Sequence, residues 1–200
     1  MRFVLILLLI ILLGVTGFLA YRHFHHPIEK PKMGEELNGG HIAMESEESV
    51  ARGVNFMTQG DVGKAKFEFE DAIRIDSNNY RAYYNLGLIY RAMGEFERAE
   101  GYYHTALLIG PKFYAAWNNL ANIMMMKKAP VDTVLFYINP CVSAYPDCTD
   151  YVDTKIDALI FAGRMSEADS LWRKAFAKDR SHLGLLQKKP LFDAMRSTHR

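Results

Sequence analysis

The sequence predicts an all-α fold: an α-solenoid of about four helix-turn-helix repeats with a C-terminal capping helix, preceded by one N-terminal transmembrane helix. Two observations lead to this prediction. Small and aromatic residues recur at one fixed period in the middle of the chain, and the beginning of the chain contains nineteen consecutive residues without a charge. A fixed period of about 34 residues indicates stacked helical hairpins, and an uncharged run of this length is typical of a membrane span.

Composition excludes several classes of protein. The 200 residues include 24 Lys and Arg against 23 Asp and Glu, which argues against nucleic acid as a partner because such binders usually carry a basic excess. Half of the residues are apolar, enough to bury a core. We find no phosphate-binding glycine loop, nucleophile elbow, haem motif or zinc-ligand spacing. The sequence therefore predicts no enzyme, no cofactor, no metal site and no small-molecule substrate.

The uncharged run Phe3 to Tyr21 predicts a membrane anchor within residues 1–22. As a helix it would extend about 28 Å, close to the thickness of a bilayer core. A cleaved signal peptide is the alternative, but its apolar region is usually only about 7–15 residues long and ends in small residues. Phe18 occupies the position three residues before a cut after Ala20, which disfavours cleavage there. Basic residues on both sides of the run leave its orientation open.

The remaining chain divides into a linker, the repeats and a C-terminal segment. Prolines and glycines in residues 23–45 predict a tether. We place the four repeats at 46–79, 80–113, 114–148 and 149–182. Residues 183–200 carry four basic residues and one Asp, and their leucines form an amphipathic stretch broken at Pro190. Because a solenoid needs a covered end, this segment is predicted to cap it.

The period itself has a physical explanation. Small residues allow two helices of a hairpin to approach closely, and large ones fill the space between hairpins. Glycine tolerates the left-handed backbone that a tight turn between helices requires. The pairs separated by one period are Gly53 and Gly87, Phe56 and Tyr90, Gly60 and Gly94, Ala65 and Ala99, Phe69 and Tyr103, and Ala72 and Ala106. Gly163, Ala168 and Trp172 continue the pattern of Gly94, Ala99 and Tyr103 two periods later, with one extra residue inserted.

These residues resemble the tetratricopeptide repeat (TPR), whose pattern begins W-x2-L-G-x2-Y. The best copy reads Tyr83-x2-Leu86-Gly87-x2-Tyr90 and ends at Pro111. The resemblance implies a superhelix whose concave groove is formed by the first helix of each repeat and binds a protein or peptide segment. The groove residues that it implies are Arg81, Tyr84, Asn85, Leu88, Arg91, Asn118, Asn119, Asn122, Asp150, Asp153 and Asp157.

Two features of this predicted groove suggest how it binds. Asn85 and Asn119 occupy the same position in adjacent repeats, and an amide side chain offers a donor and an acceptor to a peptide backbone. Asp150, Asp153 and Asp157 share one helix face and predict an acidic end that accepts a basic or amino-terminal segment. The simpler alternative is that both sets are ordinary polar helix faces. Val, Ala and Asn at the clamp positions disfavour binding to the tails of Hsp70 and Hsp90 chaperones.

The third repeat is irregular. Pro140 falls inside its second helix, where proline is predicted to kink or end the helix. Cys141 and Cys148 would lie about 10.5 Å apart on a continuous helix, whereas a disulfide needs about 4.4–6.8 Å between Cα atoms. A bridge is possible only if the chain reverses, and residues 145–147 are a plausible turn. The alternative is two free, buried thiols. A bridge would place the repeats outside the cytoplasm.

Together these patterns predict a membrane-tethered scaffold for protein–protein interaction, acting as an assembly or stabilisation factor for a membrane-associated complex. The predicted location is the bacterial inner membrane, with the repeats in the periplasm. A permanent accessory subunit of a larger membrane complex is the alternative. A periplasmic carrier is a third possibility and requires cleavage near residue 20.

Overall fold

The computed structural model describes residues 39–197, which form nine α-helices. The helices are α1 (Gly39–Thr58), α2 (Val62–Ile75), α3 (Tyr80–Ala92), α4 (Phe96–Ile109), α5 (Tyr114–Met126), α6 (Val131–Ala144), α7 (Thr149–Phe161), α8 (Met165–Lys178) and α9 (Leu183–Ser197). Residues 39–45, which we had assigned to the linker, are the first turns of α1.

The predicted anchor at residues 1–22 lies outside the described residues, as does most of the predicted linker. Within residues 39–197, none of the helices combines the length and the apolar character that a membrane crossing requires.

The helices pair into four hairpins, α1–α2, α3–α4, α5–α6 and α7–α8. Successive hairpins stack through α2 with α3, α4 with α5, and α6 with α7. The first helices of the third and fourth hairpins, α5 and α7, also touch each other, and α9 packs on α7 and α8. The prediction of an all-α helical solenoid is confirmed.

Close approach within a hairpin depends on the small residues of the repeat. A Cβ atom added to Gly87 on α3 would lie 2.5 Å from the ring of Tyr103 on α4. Gly53 and Phe69 repeat this relationship at the same distance in the first hairpin. Both rings are fully buried, so the glycines provide the space in which the aromatic side chains pack.

The turns inside the hairpins adopt the predicted left-handed backbone. Gly60, Gly94 and Gly163 have φ angles of 78°, 78° and 71°. In the third hairpin the equivalent position, one period after Gly94, is Lys128, with φ at 54°. The geometry of the turn is therefore maintained there without glycine, although a side chain makes this conformation less favourable.

The two internal prolines do not end their helices. Pro140 lies within α6 and Pro190 within α9, and both helices continue beyond them. We expected a break at Pro190, which does not occur, and a kink or an end of the helix at Pro140, where the helix does not end. Each proline removes one hydrogen bond, but the flanking turns are anchored by buried side chains. Ile138 and Cys141 flank Pro140, and Phe192 follows Pro190; all three have no exposed surface.

Candidate functional site

The first helices of the second, third and fourth hairpins surround a pocket of about 490 Å³. The predicted groove residues that line it are Tyr84, Arg91, Asn118, Asn119, Asn122, Asp150 and Asp153. The other lining residues are Ala115, Cys148, Tyr151 and Thr154. The repeat register thus brings together polar side chains from three successive repeats.

Asn119 connects α5 to α3 at the pocket wall. Its amide nitrogen donates to the Ala115 carbonyl at 2.9 Å and to the Tyr84 hydroxyl at 3.2 Å. Only 9% of the residue is exposed. Burial raises the pKa of Tyr84, and the hydrogen bond from Asn119 opposes that rise. Within residues 39–197 the Asn119 carbonyl oxygen has no hydrogen-bond donor, so it remains available as an acceptor.

Arg91 brings a positive charge to the pocket. Its Nε is buried without a hydrogen-bond partner in the described part of the chain, as are the Asn118 Oδ1 and the Tyr103 hydroxyl. Burial raises the pKa of Tyr103, and the nearby charge of Arg91 acts against it. The same charge acts against the rise at Tyr84. The guanidinium therefore lies close to both phenols, where an unpaired buried donor is unfavourable.

The three aspartates on α7 are already paired within the chain. The Lys188 ammonium on α9 lies 2.9 Å from Asp153 and 3.0 Å from Asp157. Asp150 lies 3.0 Å from His182 Nε2. Burial acts to lower the pKa of Lys188, but its hydrogen bonds to Asp153 and Asp157 outweigh burial and raise it. The predicted acidic end of the groove is therefore occupied by the basic C-terminal segment of the chain itself.

Four predicted groove residues are not part of the pocket lining. Arg81 lies 3.9 Å from Glu47, and Asn85 donates to the Arg81 carbonyl at 2.8 Å. Leu88 is partly buried against the central core, and Asp157 faces Lys188. These side chains belong to the same helices as the pocket residues but make intramolecular contacts.

Four lining residues were not among the groove residues that we listed as binding the partner, although Ala115 was an inward position of the clamp comparison. Ala115 and Thr154 follow the repeat register, since Ala115 lies one period after Arg81 and Thr154 lies one period and one inserted residue after Asn119. The register therefore contained the signal for both. Cys148 caps the N-terminus of α7 and Tyr151 lies in its first turn. No repeat position indicated these two residues.

The two cysteines are free in this structure. Cys141 is buried on α6, where its thiol contacts the Tyr114 carbonyl oxygen at 3.4 Å and the Tyr137 carbonyl oxygen at 3.6 Å. Cys148 is half-buried at the end of the turn. The bridge that we considered is not formed, because α6 continues past Cys141 to Ala144 and the thiol faces α5. Burial raises the pKa of the Cys141 thiol to about 12.

The described part of the chain shows no cluster of three or more His, Cys, Asp or Glu side chains arranged to hold a metal ion. The pocket offers amides, a guanidinium, phenols and paired carboxylates. Such groups donate and accept hydrogen bonds in all directions and therefore suit recognition of a polar chain.

The sequence of the second hairpin matches the profile of the tetratricopeptide repeat family over residues 80–113. Residues 80–113 form a tetratricopeptide repeat. The matched range coincides with the second predicted repeat and contains α3 and α4, of which α3 supplies Tyr84 and Arg91 to the pocket.

Similar proteins are known by sequence and by structure. The chain is 27% identical to the photosystem I assembly protein Ycf3 of Cyanophora paradoxa over 119 residues, covering 52% of this chain and 68% of that protein. It superposes on PilW, described as a widely conserved type IV pilus biogenesis factor, with a TM-score of 0.68 and 17% identity, covering 75% of this chain and 69% of PilW.

A further structural relative is YrrB, described as a TPR protein with an unusual peptide-binding site. The TM-score is 0.61 at 17% identity, over 74% of this chain and 76% of YrrB. At these identities the two structures show that the chain has a TPR-like solenoid fold.

Proposed function

We propose that this protein is a membrane-tethered scaffold whose pocket binds a segment of a partner protein, and that it serves as an assembly or stabilisation factor for a membrane-associated complex. The observation that carries the proposal is the pocket itself. Helices α3 and α5, from two successive hairpins, place the amides of Asn118, Asn119 and Asn122 beside Arg91 and Tyr84. Amides pair with a peptide backbone whatever its side chains are.

The functions after which two relatives are named support the assembly role. Ycf3 is a photosystem I assembly protein, and PilW is a pilus biogenesis factor. The uncharged run Phe3 to Tyr21 supports the tether. In our proposal the anchor remains uncleaved and the repeats are periplasmic. Because the cysteines are free in this structure, they give no support to the periplasmic side.

A permanent accessory subunit is the second candidate, and the surface of the second helices favours it. Phe67 on α2, Leu108 on α4 and Phe136 on α6 are each more than half exposed. Large exposed apolar residues on successive hairpins fit a surface that is covered in a stable complex. This candidate differs from an assembly factor in how long the contact lasts and in its stoichiometry.

Site-specific crosslinking in native membranes tests the proposed function. The full chain would carry a photo-crosslinking amino acid at Asn122, in the pocket, or at Asn55, which is exposed on α1. We expect Asn122 to crosslink to a discrete protein and Asn55 not to. Equal patterns at the two positions would contradict a role for the pocket.

The same sample separates the two candidates. An assembly factor should be recovered in substoichiometric amounts with unassembled clients, whereas a permanent subunit should be recovered stoichiometrically with the mature complex. Carbonate extraction of the membranes tests the tether, because a spanning anchor resists extraction. An amino terminus beginning near Tyr21 would show instead that the segment is a cleaved signal peptide.

A further inference from the structure

The charged residues of the pocket differ in whether they have a partner within the chain. Three charged residues line the pocket: Arg91, Asp150 and Asp153. The Lys188 ammonium lies 2.9 Å from a carboxylate oxygen of Asp153, and His182 Nε2 lies 3.0 Å from a carboxylate oxygen of Asp150. Arg91 has no carboxylate within 4 Å among residues 39–197. Arg91 is therefore the charged lining residue that has no oppositely charged neighbour among residues 39–197.

The surroundings of Arg91 are suited to a carboxylate. Its guanidinium lies near the Tyr84 and Tyr103 phenols, and its Nε is buried without a partner in the described part of the chain. Removing a guanidinium N–H from water without giving it an acceptor is unfavourable. The planar donor fork of Arg fits a carboxylate with two parallel hydrogen bonds. A ligand carboxylate would supply the missing counter-charge.

Asparagines beside Arg91 are suited to the backbone that carries such a carboxylate. Among residues 39–197, the side-chain carbonyl oxygen of Asn119 has no donor and is free to accept from a peptide N–H group. The Asn118 Oδ1 also has no donor but is buried, and the Asn119 amide nitrogen already donates to Ala115 and Tyr84. A segment bound here would present backbone donors to α5 and an acidic side chain to α3.

We infer that the pocket selects an extended partner segment with an acidic side chain that pairs with Arg91. This inference rests on the proposed function and names the chemistry of its partner. It replaces our expectation of a basic partner, because Lys188 already supplies a cation to Asp153 and Asp157, and the His182 ring lies 3.0 Å from Asp150. A basic side chain beside Arg91 would instead meet a like charge.

The test uses the full chain in detergent and a random synthetic peptide library whose members have amidated C-termini. Selected peptides are compared with versions in which each Glu or Asp is replaced by the matching amide, by fluorescence anisotropy. We expect acidic peptides to be selected, and loss of the key carboxylate to weaken binding about 10–150-fold. High salt should also weaken binding.

Charge variants of the protein complete a double-mutant cycle. Arg91→Gln should weaken binding of the acidic peptide by a similar factor. It should have little effect on binding of the amide version, because the amide substitution and Arg91→Gln each remove the same ion pair. Arg180→Gln makes the same charge change at an exposed position outside the pocket and should leave binding unaltered. Arg91→Lys keeps the charge without the fork and should give an intermediate loss.

A second measurement avoids mutation of the pocket. Cys148 lines the pocket, so a bound acidic peptide should slow its alkylation in the wild-type chain, and the amide version should not. Selection of basic or neutral peptides, or equal effects of Arg91→Gln on both peptides, would overturn the inference while leaving a peptide-binding scaffold intact. Failure to select any peptide would count against both the inference and the proposed function.

Discussion

The Lys188 ammonium on α9 lies 2.9 Å from a carboxylate oxygen of Asp153 on α7, although the two residues are 35 positions apart. The same ammonium reaches Asp157 at 3.0 Å, and only 14% of its side chain is exposed. Beside it, the Trp172 indole donates to the Leu185 carbonyl at 2.8 Å. The C-terminal helix is therefore bound by charge as well as by apolar burial, and it covers the acidic end of the first-helix surface.

Lys188→Met should destabilise the fold by about 1–3 kcal/mol, since two partly buried carboxylates lose their cation. The neighbouring Lys189→Met is the control, because the pair of Lys189 with Asp193 is half-exposed and its loss should cost less than about 0.5 kcal/mol. Urea unfolding followed by circular dichroism measures both. Adding Asp153→Asn to Lys188→Met should recover part of the loss. Equal effects of the two lysine variants would show that the buried pair contributes nothing specific.

Lys128→Gly should stabilise the protein by about 0.5–1 kcal/mol, because glycine adopts the positive φ of this turn without the steric cost that a side chain brings. The adjacent Lys127 is the control. Its φ of −75° is right-handed and it pairs with Glu100, so Lys127→Gly should destabilise. Thermal melting of both variants checks the prediction. A loss of stability in Lys128→Gly would contradict the proposed strain at this turn.

Native and denatured chains should differ in thiol reactivity. Cys141 is buried and its thiol pKa is raised to about 12, so it should resist alkylation at neutral pH because the thiolate is the reactive form. Cys148 is half-buried and lines the pocket, so it should react first. Mass spectrometry should find one rapidly labelled cysteine in the native chain and two after denaturation without reductant. Labelling of neither cysteine after denaturation would indicate a disulfide.

His104 should make the fold sensitive to acid. Burial lowers its pKa in the folded chain, with Glu100 opposing, whereas the unfolded chain keeps the ordinary value of about 6.5. The folded state therefore binds fewer protons over this range, and stability falls as the pH falls below about 6.5. The drop in melting temperature from about pH 7.5 to about pH 5 should be smaller in His104→Gln than in wild type.

His41→Gln is the control for this titration, since His41 is exposed on α1. It should follow the wild-type melting curve at each pH. An unchanged pH dependence in His104→Gln would show that other groups cause the acid sensitivity.

The sequence by itself determined the repeat. Gly87 and Tyr103 lie in the same hairpin, so a short stretch of chain contains both the small residue and the ring that packs on it. The turn glycines act on their own backbone angles, which again is a local effect. Local rules of this kind repeat with the period and predicted the helical hairpins. The resemblance to the TPR family then implied the groove positions, which include seven of the residues that line the pocket.

Tertiary structure alone decided which polar side chains remain available. Asp153 and Arg91 both project from first helices in the predicted register, yet Lys188 pairs with one and no carboxylate in residues 39–197 pairs with the other. Electrostatic and hydrogen-bond partners are selected by distance in space, and here that distance depends on how α9 docks against α7. Sequence spacing contains no measure of that docking, so it placed these residues on the first helices but could not indicate that Asp153 is paired with Lys188.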